Sequence, residues 1–349
     1  NTYWNLQQQL SDTVVDNQQQ AKQTFADLLT SSVRYRMIAD VPFGTFLSGG
    51  TDSSLVTAIA QSVASKPVNT FTIGFSDAKF NEAPFAKKIA QQLGTNHHEL
   101  MLTEKDALQL IPELSGIYDE PYADSSAIPT LLVSKMAKQH VTVILSGEGG
   151  DELFWGYGAH RWANRLNNPL LRMVKTPLAA LFGKMNSRYR RVAALLNFNP
   201  RQLLPLHIHS QEHYYFSQSE TIALLQLPPE ILLTGYEKSV PGQPPRKLTP
   251  AEQQALFDLT FYLPDDLLVK TDRASMYYGL EARTPYLDYR VVAFALNLHP
   301  SLKMRGSVSK YLLRQLLYDY LPPALFNRPK WGFGVPMARW LQTDLQFLI

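Results

Sequence analysis

An α/β architecture is expected from this chain of 349 residues: a doubly wound parallel sheet followed by a mainly helical C-terminal part. Three features lead there. Short apolar runs rich in β-branched and aromatic residues alternate with helical patterns between Val41 and Glu152, as crossover-connected parallel strands require. Two of those runs end in glycine-rich turns, at Phe46–Ser54 and at Val141–Glu152. From Trp162 onward the hydrophobic spacing is mainly helical.

In chain order, the first element is a glutamine-rich amphipathic helix from about Asn17 to Met37, whose glutamines read as helix surface rather than as a prion-like tract. Val41, Phe43, Phe46 and Leu47 then suit a buried strand, and Leu55, Val56, Ala58, Ile59 and Ala60 follow at helical spacing. Between them lie Ser48, Gly49, Gly50, Thr51, Asp52 and Ser53. Glycines let backbone N–H groups approach an anion, the helix N-terminus adds positive potential, and the hydroxyls are further donors, so the turn points to the phosphates of ATP. Asp52 would repel such a ligand unless a cation bridges them, which implies Mg2+. The turn has no lysine, against a Walker-type loop, and no G-x-G-x-x-G. Taken alone, such a turn is also compatible with a purely structural role.

A second strand is expected over Val68–Phe75, where Ile73 and Gly74 allow close approach of an adenine, and a helix near Ala127. Val141–Glu152 then repeats the first design: a β-branched strand, Ser146, Gly147, Glu148, Gly149, Gly150 and the carboxylate of Asp151. Two such turns at the carboxyl ends of neighbouring parallel strands would face one crevice, with Asp52 and Asp151 as ligands for Mg2+. The alternative is that Asp151 and Glu152 only begin a helix, where acidic residues complement the dipole.

Later stretches are less informative. Pro241–Pro245 marks an exposed loop. Between Glu152 and Glu212 there is no acidic residue, while Arg161, Arg165, Arg172, Lys175, Lys184, Arg188, Arg190, Arg191 and Arg201 fall there, interleaved with Leu170, Leu171, Val174, Leu178, Leu181 and Phe182. This segment reads either as a solvated helical face or, over 161–191, as a peripheral contact with an anionic surface. No nucleic-acid-binding motif accompanies the charge, so nucleic acid is not expected. His98 and Glu99 begin like a zinc-protease motif, but Leu102 stands where the second ligand must be. His207, His209 and His213 have no standard metal spacing, and neither Ser48 nor Ser146 lies in G-x-S-x-G.

These residues resemble the synthetase domain of the glutamine-dependent asparagine synthetase family, relatives of the class II amidotransferases, whose pyrophosphatase-type loop is Ser-Gly-Gly-x-Asp-Ser. The resemblance runs through Tyr3–Leu6, Leu47–Ser54, Phe71–Phe75, Asp119–Ser126, Leu145–Glu152, Lys270–Met276, Leu280–Asp288, Lys310–Arg314 and Arg328–Gly334. It implies an adenine-nucleotide alpha-hydrolase-like (ATP pyrophosphatase) fold. It also implies a reaction in which a carboxylate attacks the α-phosphate of ATP, pyrophosphate leaves, and ammonia converts the acyl-adenylate into an amide and AMP. By resemblance Lys330, in a stretch flanked by Pro329, Gly332, Gly334 and Pro336, faces the reacting phosphate, and Glu148 orients the amine or accepts its proton. Leu47, Ser48, Gly49, Gly50, Asp52, Ser53, Ile73, Ser146 and Gly147 form the expected ATP site. Ser125 and Ser126 line the acceptor pocket, and Tyr157 either joins them or serves ordinary packing. Asparagine synthetases have an arginine for the substrate carboxylate in this region, and Ser125 stands in its place. Amidation of another carboxylate, such as a sugar acid in glycan biosynthesis, is therefore the alternative substrate, and a non-catalytic nucleotide-binding descendant the alternative class.

The resemblance divides the chain into a junction and N-terminal helix (1–40), a nucleotide-binding core (41–155) and a mainly helical part of the same domain carrying the Lys330 loop (156–349). The chain contains no cysteine, which excludes disulfides and the catalytic cysteine of the glutaminase domain that the family carries upstream. Tyr3–Leu6 resembles the junction after that domain, and Asn1 in place of Met suggests a fragment or processed product. The expected partners are ATP, a carboxylate substrate, ammonia from a glutaminase domain, a separate subunit or solution, and a second copy in a homodimer. With 45% apolar residues, net charge +3, no apolar run of membrane-spanning length and no visible signal peptide, a large buried core in a cytoplasmic enzyme is expected.

Overall fold

Five short strands form one parallel sheet: the inner strands FGTF, NTFTIGF and VIL are almost wholly buried, the edge strands NHHELML and EAR are polar and partly exposed, and long crossovers return the chain from each strand to the start of the next. The computed structural model describes residues 3–75, 81–197, 204–212, 218–226 and 244–327, together with 342, 343 and 346. By internal contacts the chain divides into two compact units: Asn1–Val15 with Trp155–Thr260, and Asp16–Phe154 with Phe261–Ile349.

The second of these units is built on the sheet. β1 (Phe43–Phe46), β2 (Asn69–Phe75), β3 (Asn96–Leu102), β4 (Val143–Leu145) and β5 (Glu281–Arg283) lie in the order β3-β2-β1-β4-β5, all parallel. The chain moves outward from β1 to β3, then returns to the other side of β1 for β4. The switch point therefore falls between β1 and β4, and the loops after both strands open at the same carboxyl edge. β5 comes from residues 281–283, far beyond the alternating stretch, in the part where sequence spacing shows helix. Its three residues are too few to register a period of two.

Helix α1 (Gln18–Met37) starts where Asn17 accepts a hydrogen bond from Gln20 N at 3.0 Å. It buries Ala21, Phe25, Leu29, Ser32 and Val33 at spacings of three to four, which is one helical face. Phe25 meets Phe154 at 4.7 Å between ring centres. α2 (Thr51–Val63), α3 (Ala83–Leu93) and α4 (Ala127–Lys138) are the crossover helices that cover the sheet. A core of Phe71, Ile73, Leu102, Ile128, Leu131 and Ile144 joins α4 to the strands. The expected helix near Ala127 begins there, and the expected helix of 17–37 is α1 with its cap.

At the opposite end of the sheet, β2 and β3 begin with a cluster of imidazoles. His98 stacks on Phe71 at 4.9 Å and meets the tilted ring of His140 at 4.0 Å, while His97 Nδ1 lies 2.9 Å from Thr70 Oγ1. Burial holds both His97 and His98 below the ordinary 6.5, with His140 adding to the effect on His98 and Glu99 opposing it on His97. The folded state thus binds protons less readily than the unfolded chain. Its stability is complete above pH 6.5 and declines as pH falls through that value. Thermal unfolding between about pH 7.5 and pH 5.5 is expected to show this loss, and His98→Gln to flatten it; an unchanged slope would contradict the assignment.

The other unit is helical. Gly158–Leu166, Pro169–Gly183, Ser187–Leu196 and Pro250–Phe257 are its main helices, and Ala163, Leu166, Ala179, Leu196 and Ile208 share a small core. No helix among the described residues is long and apolar enough to cross a membrane.

Candidate active site

The glycine-rich turn after β1 is stitched across its mouth by two serines. Ser48 Oγ and Ser53 Oγ lie 3.0 Å apart, Ser48 N donates to Ser53 Oγ at 3.2 Å, and Gly50 N donates to Ser48 Oγ at 3.3 Å. α2 begins at Thr51, so the turn stands on the N-terminus of a 13-residue helix, an anion-favouring position. Asp52 in its first turn complements the same dipole.

The turn after β4 packs directly onto the first. A Cβ added to Gly147 would lie 2.8 Å from Ser53 N, and one added to Gly150 would lie 2.8 Å from the Asp52 carboxylate. Only glycine allows this approach, and at Gly147 the neighbour is backbone that cannot rotate away. Gly147→Ala is accordingly expected to cost about 1–3 kcal/mol, because the loops must separate. Urea unfolding checks this; an unchanged midpoint would show that the close approach is dispensable.

Lys310 completes the pair of loops. It precedes the helix Tyr311–Leu317 with a left-handed backbone at φ 55°, held by a hydrogen bond from its N–H to Phe154 O at 3.1 Å. Its ammonium contacts Asp52 Oδ2 and lies 2.6 Å from Asp151 Oδ1, with the lysine side chain only 4% exposed. Burial opposes the charge, but Asp151 and Asp52 outweigh it, and the ammonium is held above its ordinary range. Tyr286 donates its hydroxyl to Asp52 O at 3.2 Å from a fully buried position, where burial and the two aspartates push its own ionisation well up.

Glu148 sits between two hydroxyls. Ser146 Oγ contacts Oε2, and Thr271 Oγ1 donates to Oε1 at 2.6 Å. The residue before Thr271, Lys270, pairs with Asp124 at 2.7 Å in a mostly buried contact. Asp124 also accepts from Ser126 N at 2.8 Å and from Ser126 Oγ at 2.7 Å. Burial would raise the Asp124 carboxyl, but Lys270 and Ser126 together hold it below the usual range. The helix Val269–Tyr277 thus anchors the Asp124–Ser126 turn and the Glu148 carboxylate through successive residues.

The expected site residues therefore separate into groups. Ser48, Gly49, Gly50, Asp52, Ser53, Ser146, Gly147, Glu148 and Asp151 lie on the two opposed loops, and Ser126 is tied to the same assembly through Asp124. Ser125 is half-buried beside it. Leu47 and Ile73 are buried side chains, so either can meet a ligand only through its backbone. The register of β1 with β2 ends at Phe46 and Phe71, whereas β2 runs on to Phe75 beside β3, carrying Ile73 past the end of β1. Tyr157 lies in the other unit, where its ring stacks on His160 at 5.9 Å. Lys330 is outside the described residues.

Asp52 and Asp151 offer hard oxygen ligands from two loops, and no cluster of three or more potential metal ligands occurs among the described residues. That donor set fits Mg2+, which is held by one or two carboxylates together with phosphate oxygens and water rather than by an all-protein cage. Sequence reasoning gave no role to Lys310, Thr271, Lys270 or Tyr286. Their signal was weak: a lysine at the start of an apolar helix shows its buried partners only once the chain has folded.

A parallel sheet with two glycine-rich loops facing each other at its switch point defines an α/β domain whose open carboxyl edge lies between those loops. The asparagine synthase family model matches residues 24–349, and the chain belongs to that family. It is similar to asparagine synthetase (glutamine-hydrolyzing) 1 of Bacillus subtilis (strain 168), with 30% identity over 344 residues, 91% of this chain and 50% of that protein. It is also similar to a putative asparagine synthetase (glutamine-hydrolyzing) of Mycobacterium tuberculosis (strain ATCC 25618 / H37Rv), with 32% identity over 340 residues, 94% of this chain and 50% of that protein. Asparagine synthetase B (glutamine-hydrolyzing) of Escherichia coli (strain K12) is 25% identical over 352 residues, 95% of this chain and 48% of that protein. The chain spans about half the length of the curated relatives it matches.

Proposed function

We propose that this chain is an ATP-dependent amide synthetase of the adenine-nucleotide alpha-hydrolase type. The observation that carries the proposal is the convergence of Asp52 and Asp151, from opposed loops at the switch point, on the Lys310 ammonium, with Glu148 held on the second of those loops. A carboxylate oxygen attacks the α-phosphorus, the bond to the bridging oxygen breaks, and pyrophosphate leaves. Ammonia then attacks the acyl carbon, loses a proton and expels AMP. Backbone N–H groups and hydroxyls of Ser48, Gly49, Gly50 and Ser53 bind the departing phosphates, and Ser146 and Gly147 approach the α-phosphate from the facing loop. Mg2+ held by Asp52 and Asp151 would neutralise phosphate charge. Lys330 stabilises the charge that develops on the leaving pyrophosphate. Glu148, fixed by Ser146 and Thr271, orients the amine and takes its proton.

For the acceptor, the Asp124–Ser126 turn supports a pocket with little spare positive charge, since Lys270 is already committed to Asp124. With serine at position 125, this favours a hydroxyl-rich carboxylate such as a sugar acid over aspartate, which brings a second carboxylate. Ammonia from a glutaminase domain or subunit belongs to the same proposal. Pyrophosphate release with ATP, Mg2+ and ammonium tests it across L-aspartate, uronic acids and other carboxylates. Carboxylate-dependent release is expected, and its absence with every acid would leave the non-catalytic descendant.

The basic helical segment supports a peripheral contact. In Pro169–Gly183, Leu171 and Leu178 pack inward, while Leu170, Met173, Val174 and Leu181 are 74%, 81%, 46% and 59% exposed. Arg165, Lys184 and Arg190 are exposed on this helix's neighbours and end. An apolar strip edged by cations suits an anionic lipid surface. Sedimentation with phosphatidylglycerol vesicles is expected to capture the protein, and Met173→Glu with Leu181→Glu to lower capture about tenfold or more; equal capture would contradict the contact.

A further inference from the structure

The two loop carboxylates already share a cation that the chain supplies. Asp52 Oδ2 and Asp151 Oδ1 both contact Lys310 Nζ, and the aspartate side chains are only 14% and 18% exposed. Neither the lysine nor the loops have much freedom to rearrange. The Lys310 backbone is tied to Phe154 O, Tyr286 holds Asp52 O, and Gly147 and Gly150 fix the separation of the loops. Two oxygens on one ammonium are no more than about 6 Å apart, so a divalent ion bound between them would lie within a few ångströms of that ammonium. The repulsion is strong at such range in a partly desolvated site.

We infer that Lys310 makes metal loading depend on the nucleotide: a divalent cation does not bind the Asp52–Asp151 pair alone and enters together with ATP. Three charges, two negative and one positive, leave the cluster with one net negative charge, too little to hold a dication whose hydration is costly to remove. The phosphates add both the missing negative charge and the further oxygen ligands. In this role Lys310 is a positioning residue that keeps the loops together and prevents futile occupation by metal. The inference rests on the reading of Asp52 and Asp151 as metal ligands given above.

Titration with Mn2+, followed by the loss of the free-ion electron paramagnetic resonance signal, tests it without turnover. For the unmodified chain, no saturable site is expected below about 1 mM Mn2+ alone, and one site is expected with a non-hydrolysable ATP analogue. Lys310→Met should gain a nucleotide-independent site at least about tenfold tighter than the unmodified chain shows. That site should vanish when Asp151→Asn is added. Equal Mn2+ affinity of the unmodified chain with and without the analogue would overturn the inference, as would a folded Lys310→Met that gains no site. If Lys310→Met does not fold, the comparison on the unmodified chain decides alone. Failure to bind the analogue at all would instead count against the amide-synthetase proposal, and the Mn2+ titration of Lys310→Met would still decide whether lysine excludes the ion.

Discussion

Replacing Lys310 with methionine is expected to lower the unfolding free energy by about 3–5 kcal/mol, the range for removing one partner of a buried charge cluster. The contacts of its ammonium with Asp52 and Asp151 would be lost, and two carboxylates would remain close together with little water to separate them. Methionine fills nearly the same volume and meets the same left-handed backbone, so the deficit is electrostatic rather than steric. The pH dependence separates the two explanations. In the unmodified chain the two aspartates hold the Lys310 ionisation above 10.5 despite burial, so its contribution is complete below that pH and is lost as pH rises through the folded value. In the variant the crowded carboxylates take up protons more readily than in the unfolded chain, and stability should recover as pH falls. Urea unfolding at about pH 8 and about pH 5 is expected to show the deficit shrinking at the lower pH. A deficit under about 1 kcal/mol, or one independent of pH, would mean that the cluster does not carry the charge assigned to it.

Lys330→Ala is expected to slow pyrophosphate release by about 10²–10³-fold or more while changing the ATP dissociation constant far less. The reason lies in timing. Negative charge grows on the bridging oxygen only as the bond to the α-phosphorus breaks, so a cation aimed there stabilises the transition state more than bound ATP. Pre-steady-state pyrophosphate release, compared with equilibrium binding of a non-hydrolysable analogue, separates the two effects. Equal losses in both would make Lys330 an ordinary phosphate ligand.

Much of the sheet and of the two loops was legible in the sequence because local chemistry fixed them. Buried parallel strands must be continuously apolar, and backbone that approaches an anion must be glycine, so Phe46–Ser54 and Val141–Glu152 carried their own explanation. Their adjacency followed from topology, and β1 pairs with β4 as two turns facing one crevice require. The cap of α1 at Asn17 was equally local. What stayed hidden was long-range. Lys310 is 258 residues from Asp52, and Thr271 is 123 residues from Glu148; nothing in either neighbourhood of the chain announces its partner. From Asp52 the sequence led to a bridging Mg2+; the Lys310 ammonium that pairs with this carboxylate was not foreseen, because a buried lysine can be recognised only with the carboxylates that neutralise it. β5 was obscure for a related reason: three residues at the edge of a sheet take their conformation from β4 rather than from their own pattern.

The central claim is that this chain activates a carboxylate through its acyl-adenylate, and the fate of one oxygen atom tests it most directly. The chain would be incubated with ATP, Mg2+, ammonium and the best acceptor from the carboxylate panel, labelled with ¹⁸O in its carboxyl group, and the nucleotide product analysed by mass spectrometry. Attack on the α-phosphorus followed by amide formation leaves one labelled oxygen in AMP, which is the result expected here. Unlabelled AMP, or label in inorganic phosphate with ADP as the nucleotide product, would contradict the account.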